Sequence, residues 1–193
     1  VSVGGWGAKN FSDAALTDSS LATFAQSAID LVTRYSLDGV DIDWEFPGQA
    51  AGGIQARPED KENFTLLLET LRTHLDSLSA ERGRVGEDQY LLTIASNDNQ
   101  SYFEHTEMGA VHEVLDFINI MSYDFFSSGS ETTGHHTGLY QSAHSGAPTR
   151  TAAAAVERHL EAGIPSRKIT LGVAFYGRKW VGVEKKQNGL NQS

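Results

Sequence analysis

Three features of the 193-residue sequence predict an α/β fold built from parallel strand–helix units. Five short runs have strand character, helix-period runs separate most of them, and the second strand run carries three carboxylates in one phase. The bulk composition suits a globular chain: 39% of residues are hydrophobic, and none of the apolar runs reaches membrane-spanning length. A formal charge of -10 argues against nucleic acid or an anionic membrane surface as the partner, because phosphate binding normally needs a basic face. A neutral ligand fits better. With no cysteine, disulfides, thiolate metal sites and thiolate nucleophiles are excluded.

The first strand run covers residues 1–4 and ends in the glycine turn of "VSVGGWG". No initiator Met or leader precedes it, and the polar tail "VEKKQNGLNQS" reads as the opening of a loop, so a segment of a larger domain is expected. Leu21, Phe24, Ala25, Ala28, Leu31, Val32 and Tyr35 then recur at helical spacing and form one apolar stripe. The second strand run is 39–44. Pro58, Glu59 and Asp60 make a favourable first helical turn after it, Phe64, Leu67, Leu68, Leu71, Leu75 and Leu78 form the stripe, and Gly83 stops it. Strand runs follow at 90–95, 117–123 and 169–175, with a short helix expected over 106–115. "TRTAAAAVERHLEAGIP" predicts a further helix, stopped by Gly163 with Pro165 beyond.

Alternating elements of this length imply right-handed crossovers and a parallel sheet, either open and doubly wound or closed into a barrel. The acidic strand separates the two. In "LDGVDIDWEFPG", Gly39, Asp41, Asp43 and Glu45 share one face, while Val40, Ile42 and Trp44 share the other and call for a helix layer. An open sheet would bury the acids under a second helix layer at large cost. A (β/α)8 TIM barrel turns them inward, with the last of them at the C-terminal mouth where such barrels place active sites. Successive acids on that face lie about 6–7 Å apart. Like charges at that spacing keep at least one carboxyl protonated to higher pH, the state a general acid needs. Glu45, at the strand end on the longest arm, is the natural proton donor, and Asp43 is its partner. A solvated acidic mouth or a divalent metal site is the competing reading; a metal would want further oxygen or imidazole ligands, so no metal or other cofactor is expected. Asp38 is out of phase and is expected to serve the strand entry. His135 and His136 fall in the polar "SSGSETTGHHTG" and are expected in a surface loop, and Tyr140 is a weak candidate for substrate contact.

"DGVDIDWE" resembles the signature of the family 18 glycoside hydrolases, the chitinases and their relatives. "SVGGW", "LLTIAS", "INIMSYDF" and "LGVAFYGR" resemble that family's third, fifth, sixth and seventh strands in order, so the likeness covers essentially the whole chain. It implies one partial catalytic barrel over residues 1–193, holding about strands three to seven, without the eighth-strand tryptophan that floors the family's sugar site. The activity implied is retaining hydrolysis of β-1,4-linked N-acetylglucosamine, with chitin or chitooligosaccharides as the partner and secretion as the destination; oligomeric state is left open. By the same resemblance Glu45 is the acid, Asp43 orients the substrate acetamido group, Asp41 tunes Asp43 by sharing a proton, and Ser2 supports Asp41. Tyr123 would bond the acetamido oxygen, Met121 would pack beneath the sugar, and Asp124 would bind a hydroxyl. Tyr176 and Arg178 would line the cleft, with Trp6 stacking on sugar. A chitin-binding lectin of the same fold, which would typically have lost the acid, and an endo-β-N-acetylglucosaminidase acting on N-glycans are the alternatives; a metal-dependent phosphoryl enzyme is a distant fourth. The segment alone is expected to be poorly active.

Overall fold

The computed structural model describes residues 1–144 and 150–193. Its five strands are β1 (Ser2–Gly4), β2 (Gly39–Asp43), β3 (Leu91–Ser96), β4 (Phe117–Ile120) and β5 (Ile169–Leu171). The helices between them are α1 (Phe11–Ala14), α2 (Asp18–Tyr35), α3 (Asp60–Glu81), α4 (Gln100–Glu104), α5 (Met108–Val114) and α6 (Ala152–Glu161). All neighbouring strands are parallel, and their order across the sheet is their order in the chain. A doubly wound sheet needs a reversal of strand order, whereas an unreversed order sends every right-handed crossover to the same face and curls the sheet. The chain is an arc of a (β/α)8 barrel, and among the described residues the outer edges of β1 and β5 have no strand beside them.

Local chemistry sets the helix ends. Thr17 Oγ1 accepts from the Ser20 amide at 3.1 Å and Ser20 Oγ accepts from the Thr17 amide at 3.0 Å, a capping box that starts α2. Thr151 Oγ1 accepts from the Ala154 amide and starts α6. The outward face of the strands meets the helices: Val40, Ile42, Trp44, Leu92, Ile94, Ile118 and Ile120 are all buried there, and so are Leu67, Leu68, Leu71 and Leu75 of α3. Burying one such side chain stabilises the fold by about 1.5–3 kcal/mol. Trp44 faces this layer as its phase requires, stacking on Phe11 at 5.4 Å and meeting Phe64 edge-on at 5.8 Å. Asp38 stands at the entry of β2, where its carbonyl accepts from the Leu91 amide and its carboxylate pairs with Arg84 at 3.0 Å.

Besides the short α1, which the sequence reading does not contain, three elements differ from it. The helix expected over 106–115 is preceded by another, because Asn99 accepts from the Tyr102 amide at 2.7 Å and starts α4; α5 then begins only at Met108. The run 117–123 leaves the ladder after Ile120: Met121 N still reaches Ser96 O, but Ser122 N turns back to Ile120 O. That bend carries Tyr123 and Asp124 out to the mouth. The run 169–175 stops at Leu171, and Phe175 is 99% exposed, because among the described residues no strand lies beyond β5 to extend the pairing.

Trp44→Ala should therefore destabilise the protein by about 3–5 kcal/mol in chemical denaturation, and Trp44→Phe by clearly less. Equal losses for the two variants would mean that the ring contacts with Phe11 and Phe64 contribute nothing specific.

Candidate active site

The inward face of β2 is held by its neighbours. Asp41 Oδ2 accepts from Ser2 Oγ of β1 at 2.7 Å, and Asp41 Oδ1 accepts from Thr93 Oγ1 of β3 at 2.6 Å and from Asn119 Nδ2 of β4 at 3.2 Å. The register pairs Ser2 with Asp41 and Asp41 with Thr93, so these contacts follow directly from strand phase. Among the described residues no hydrogen bond joins Asp41 to Asp43; Asp41 bears on Asp43 through its charge.

Asp43 comes next on the same face. Burial, and then the charge of Asp41, push its carboxyl up to about 6. Its Oδ1 is buried with no hydrogen-bond partner among the described residues, an acceptor waiting for a donor. The backbone of β1 comes close at this level: Gly4 has φ +127°, and a Cβ on it would lie 1.9 Å from the Asp43 carbonyl oxygen. Only glycine allows that approach. Glu45 follows at the end of β2. Burial, then Asp43, then Asp124 push its carboxyl up to about 7, so it holds a proton close to neutrality.

The loop ends of β4 and β5 supply the facing wall. Tyr123 projects beside the acids, and burial followed by the fields of Asp43 and Glu45 raises its hydroxyl. It packs against Gly172, where a Cβ would come 2.8 Å from its ring and 2.7 Å from Ile120 O. Asp124 sits at φ 55°. Its Oδ2 accepts from Tyr176 Oη at 2.7 Å, and its Oδ1 accepts from Arg178 Nε at 2.8 Å and also from Nη2. Burial alone would raise the Asp124 carboxyl, but the bonds from Tyr176 and Arg178 outweigh it and hold the carboxyl below its usual range. Tyr176 is pushed up to about 12 by burial and by Asp124.

These side chains open into one cleft of about 760 Å³, within the usual size for a ligand site. Asp43, Glu45, Tyr123, Met121, Asp124, Arg178 and Trp6 all line it. Asp41 and Ser2 lie beneath it, and Tyr176 joins it through Asp124. Trp6 is 67% exposed and rests edge-on against the buried Phe46 at 6.4 Å, so Trp6 presents the accessible aromatic face of the cleft. Another opening of about 700 Å³, between His135, Trp180 and Leu190, has no carboxylate in its lining. Asp43, Glu45 and Asp124 all open into the first.

Sequence reasoning missed Phe46, Gln49, Asn97, Asn99 and Arg150, which also line the cleft. All but Arg150 closely follow the C-terminal ends of strands, the position that supplies barrel active sites, and that rule was the available signal. Of the histidine pair, His135 is exposed as a surface loop requires. His136 is not: its ring packs on Tyr176 at 5.3 Å, and its Nδ1 lies 3.8 Å from Asp124 Oδ1. Tyr140 is exposed and does not line the acidic cleft. No group of three or more His, Cys, Asp or Glu residues able to hold a metal ion occurs among the described residues.

Known proteins resemble the chain over its whole length. The model of the glycosyl hydrolases family 18 matches residues 1–193. Chitinase A1 of Niallia circulans is 43% identical over 203 residues, an overlap of 100% of this chain and 28% of that protein. Chitotriosidase-1 of Mus musculus is 36% identical, over 98% of this chain and 40% of its own length. A family 18 N-acetylglucosaminidase from Paenibacillus barengoltzii superposes with a TM-score of 0.94 at 45% identity, covering 100% of this chain and 55% of that one. The cell-surface-expressed multi-modular chitinase ChiW from Paenibacillus sp. str. FPU-7 superposes with a TM-score of 0.93 at 41% identity, covering 100% and 22% respectively. The chain thus spans less than half the length of these two curated relatives.

Because folding raises the Asp43 carboxyl, the native state binds more protons than the unfolded one between the two titrations. Stability from this group is therefore full at low pH and is lost as pH rises through about 6. Solvent screening of a half-buried group keeps the effect on the order of 1 kcal/mol. Asp43→Asn should raise the melting temperature at pH 8 by about 2–4 °C, with the gain vanishing towards pH 4. A gain independent of pH would contradict the raised carboxyl.

Proposed function

The chain belongs to glycosyl hydrolase family 18, and we propose that the protein carrying it is a chitinase, cleaving β-1,4 links between N-acetylglucosamine units with retention. The observation that carries this reading is the stack of Asp41, Asp43 and Glu45 on one strand face, with Glu45 pushed up to about 7 at the open end. A carboxyl that still holds its proton near neutrality is what a leaving glycosidic oxygen needs.

In the proposed reaction Glu45 gives its proton to the glycosidic oxygen as the bond to C1 breaks. The carbonyl oxygen of the sugar's own acetamido group bonds to C1 from the opposite side, giving a bound oxazolinium ion with no covalent bond to the enzyme. The unpartnered Asp43 Oδ1 accepts the acetamido N–H, and its negative charge stabilises the positive charge that develops. Tyr123 donates its hydroxyl to the acetamido oxygen. Glu45, now ionised, takes a proton from water as that water attacks C1 and reopens the ring. Two inversions give net retention. Met121 packs beneath the sugar, Trp6 stacks on a neighbouring ring, and Asp124, held by Tyr176 and Arg178, accepts from a sugar hydroxyl.

The substrate class is chitin or chitooligosaccharide, and the expected place of action is outside the cell. The 193-residue segment forms part of a single catalytic barrel; alone, with both sheet edges open, it should be poorly active. A second reading, release of single N-acetylglucosamine units, is favoured by the 45% identity to the Paenibacillus barengoltzii N-acetylglucosaminidase. Product lengths from chitohexaose separate the two. A lectin is disfavoured because the acid, Glu45, is present.

In the full-length protein Glu45→Gln should lower hydrolysis of chitooligosaccharides by about 10²–10⁴-fold while binding persists. Turnover within tenfold of the parent would remove Glu45 as the acid. Proton NMR of the first product should show the β anomer, and an initial α anomer would exclude retention.

A further inference from the structure

Arg150 and the turn after β3 form a wall of the cleft that the catalytic steps leave unused. Asp98 is only 4% exposed, yet it is a carboxylate. Arg150 reaches it across 52 positions of sequence: Nε donates to Oδ1 at 2.9 Å and to Oδ2 at 3.1 Å, and Nη2 donates to Oδ1 as well. Nη2 also donates to Asn97 Oδ1 at 3.2 Å, and the guanidinium lies 5.0 Å over the Phe125 ring. A fork bound to a buried carboxylate and stacked on an aromatic face is fixed in place.

The turn below it is fixed too. Asn97 Oδ1 accepts from the amides of Asp98 at 2.7 Å and Asn99 at 3.1 Å, and Asn99 Oδ1 accepts from the Tyr102 amide. With their oxygens committed to the backbone, Asn97 and Asn99 have amide N–H groups to present. Arg150, Asn97 and Asn99 all line the cleft that contains Glu45. The other cleft-lining cation, Arg178, is held by Asp124 in the same way, through Nε and Nη2. An ion pair with only its carboxylate buried is weak as a source of stability and better suited to fixing geometry. A fixed, donor-rich wall facing an acidic cleft suits a ligand rich in oxygen acceptors.

We propose that Arg150 is a substrate-binding residue, which with Asn97 and Asn99 donates hydrogen bonds to hydroxyl or acetamido oxygens of a bound chitooligosaccharide. Asp98 is its positioning residue. This rests on the chitinase reading. Charge-assisted bonds from a preorganised donor should contribute about tenfold in affinity.

The test is chitohexaose binding by isothermal titration calorimetry in the full-length protein carrying Glu45→Gln, with Arg150 varied and melting temperatures recorded in parallel. Arg150→Met keeps the apolar stem on Phe125 and removes the donors; it should weaken binding about tenfold. Arg150→Lys, which keeps charge and donors without the fork, should recover part of that loss. Asp98→Asn, with Arg150 intact but less firmly held, should weaken binding by less than Arg150→Met. An Arg150→Met dissociation constant within twofold of the Glu45→Gln parent overturns the proposal, whatever happens to the melting temperature. So does weaker binding by Arg150→Lys than by Arg150→Met, since the variant that keeps charge and donors would then bind worse than the one without them. If the Glu45→Gln parent itself fails to bind chitohexaose, the chitinase reading falls, and that result is distinct from either failure of Arg150.

Discussion

The carboxylate of Asp41 ties four strands of the sheet together. Its two oxygens take hydrogen bonds from Ser2 on β1, Thr93 on β3 and Asn119 on β4, so one side chain of β2 fixes the inner face of the arc. A slip of β2 by one residue would turn Asp41 to the helix layer and bring Val40 and Ile42 inward, losing the bonds and the packing together. The register that satisfies Asp41 is therefore the one that stacks Asp43 and Glu45 above it. The chemistry at the mouth depends on that constraint.

Carboxylates brought to one cleft from β2 and from the loop after β4 acquire different properties from their surroundings. Asp43 and Glu45 are pushed upward by burial first and by their acidic neighbours next. Asp124 suffers burial as well, but Tyr176 and Arg178 hold it below the usual carboxylate range, and its charge in turn raises Glu45. Environments that drive acids apart in this way separate a proton donor from charged groups that bind and stabilise. The two raised groups interact, so their titrations belong partly to the pair.

Strand phase and the match to the family 18 signature made Asp41, Asp43, Glu45 and Tyr123 legible in the sequence, because period two fixes which side chains share a face. The same logic placed Trp44 outward and Asp38 out of line. The loops were less legible. Arg150 meets Asp98 from 52 positions away, and no periodicity signals such a pairing. His136 reads as loop polarity, yet tertiary packing sets it against Tyr176. Apolar runs also overstated the strands: Phe175 continues the pattern of β5, but with no neighbouring strand it lies in the open. Apolarity shows that a residue can be covered, and the partner that covers it has to come from elsewhere in the fold.

The most direct measurement of the acid stack is a carbon-13 NMR titration of the Glu45 side-chain carboxyl, assigned by its loss in Glu45→Gln. A carboxyl crowded by burial, Asp43 and Asp124 should titrate with a midpoint near 7. A midpoint at the ordinary glutamate value, about 4.3, would mean that the stack leaves Glu45 ionised at neutral pH and would contradict the proposal that it is the proton donor.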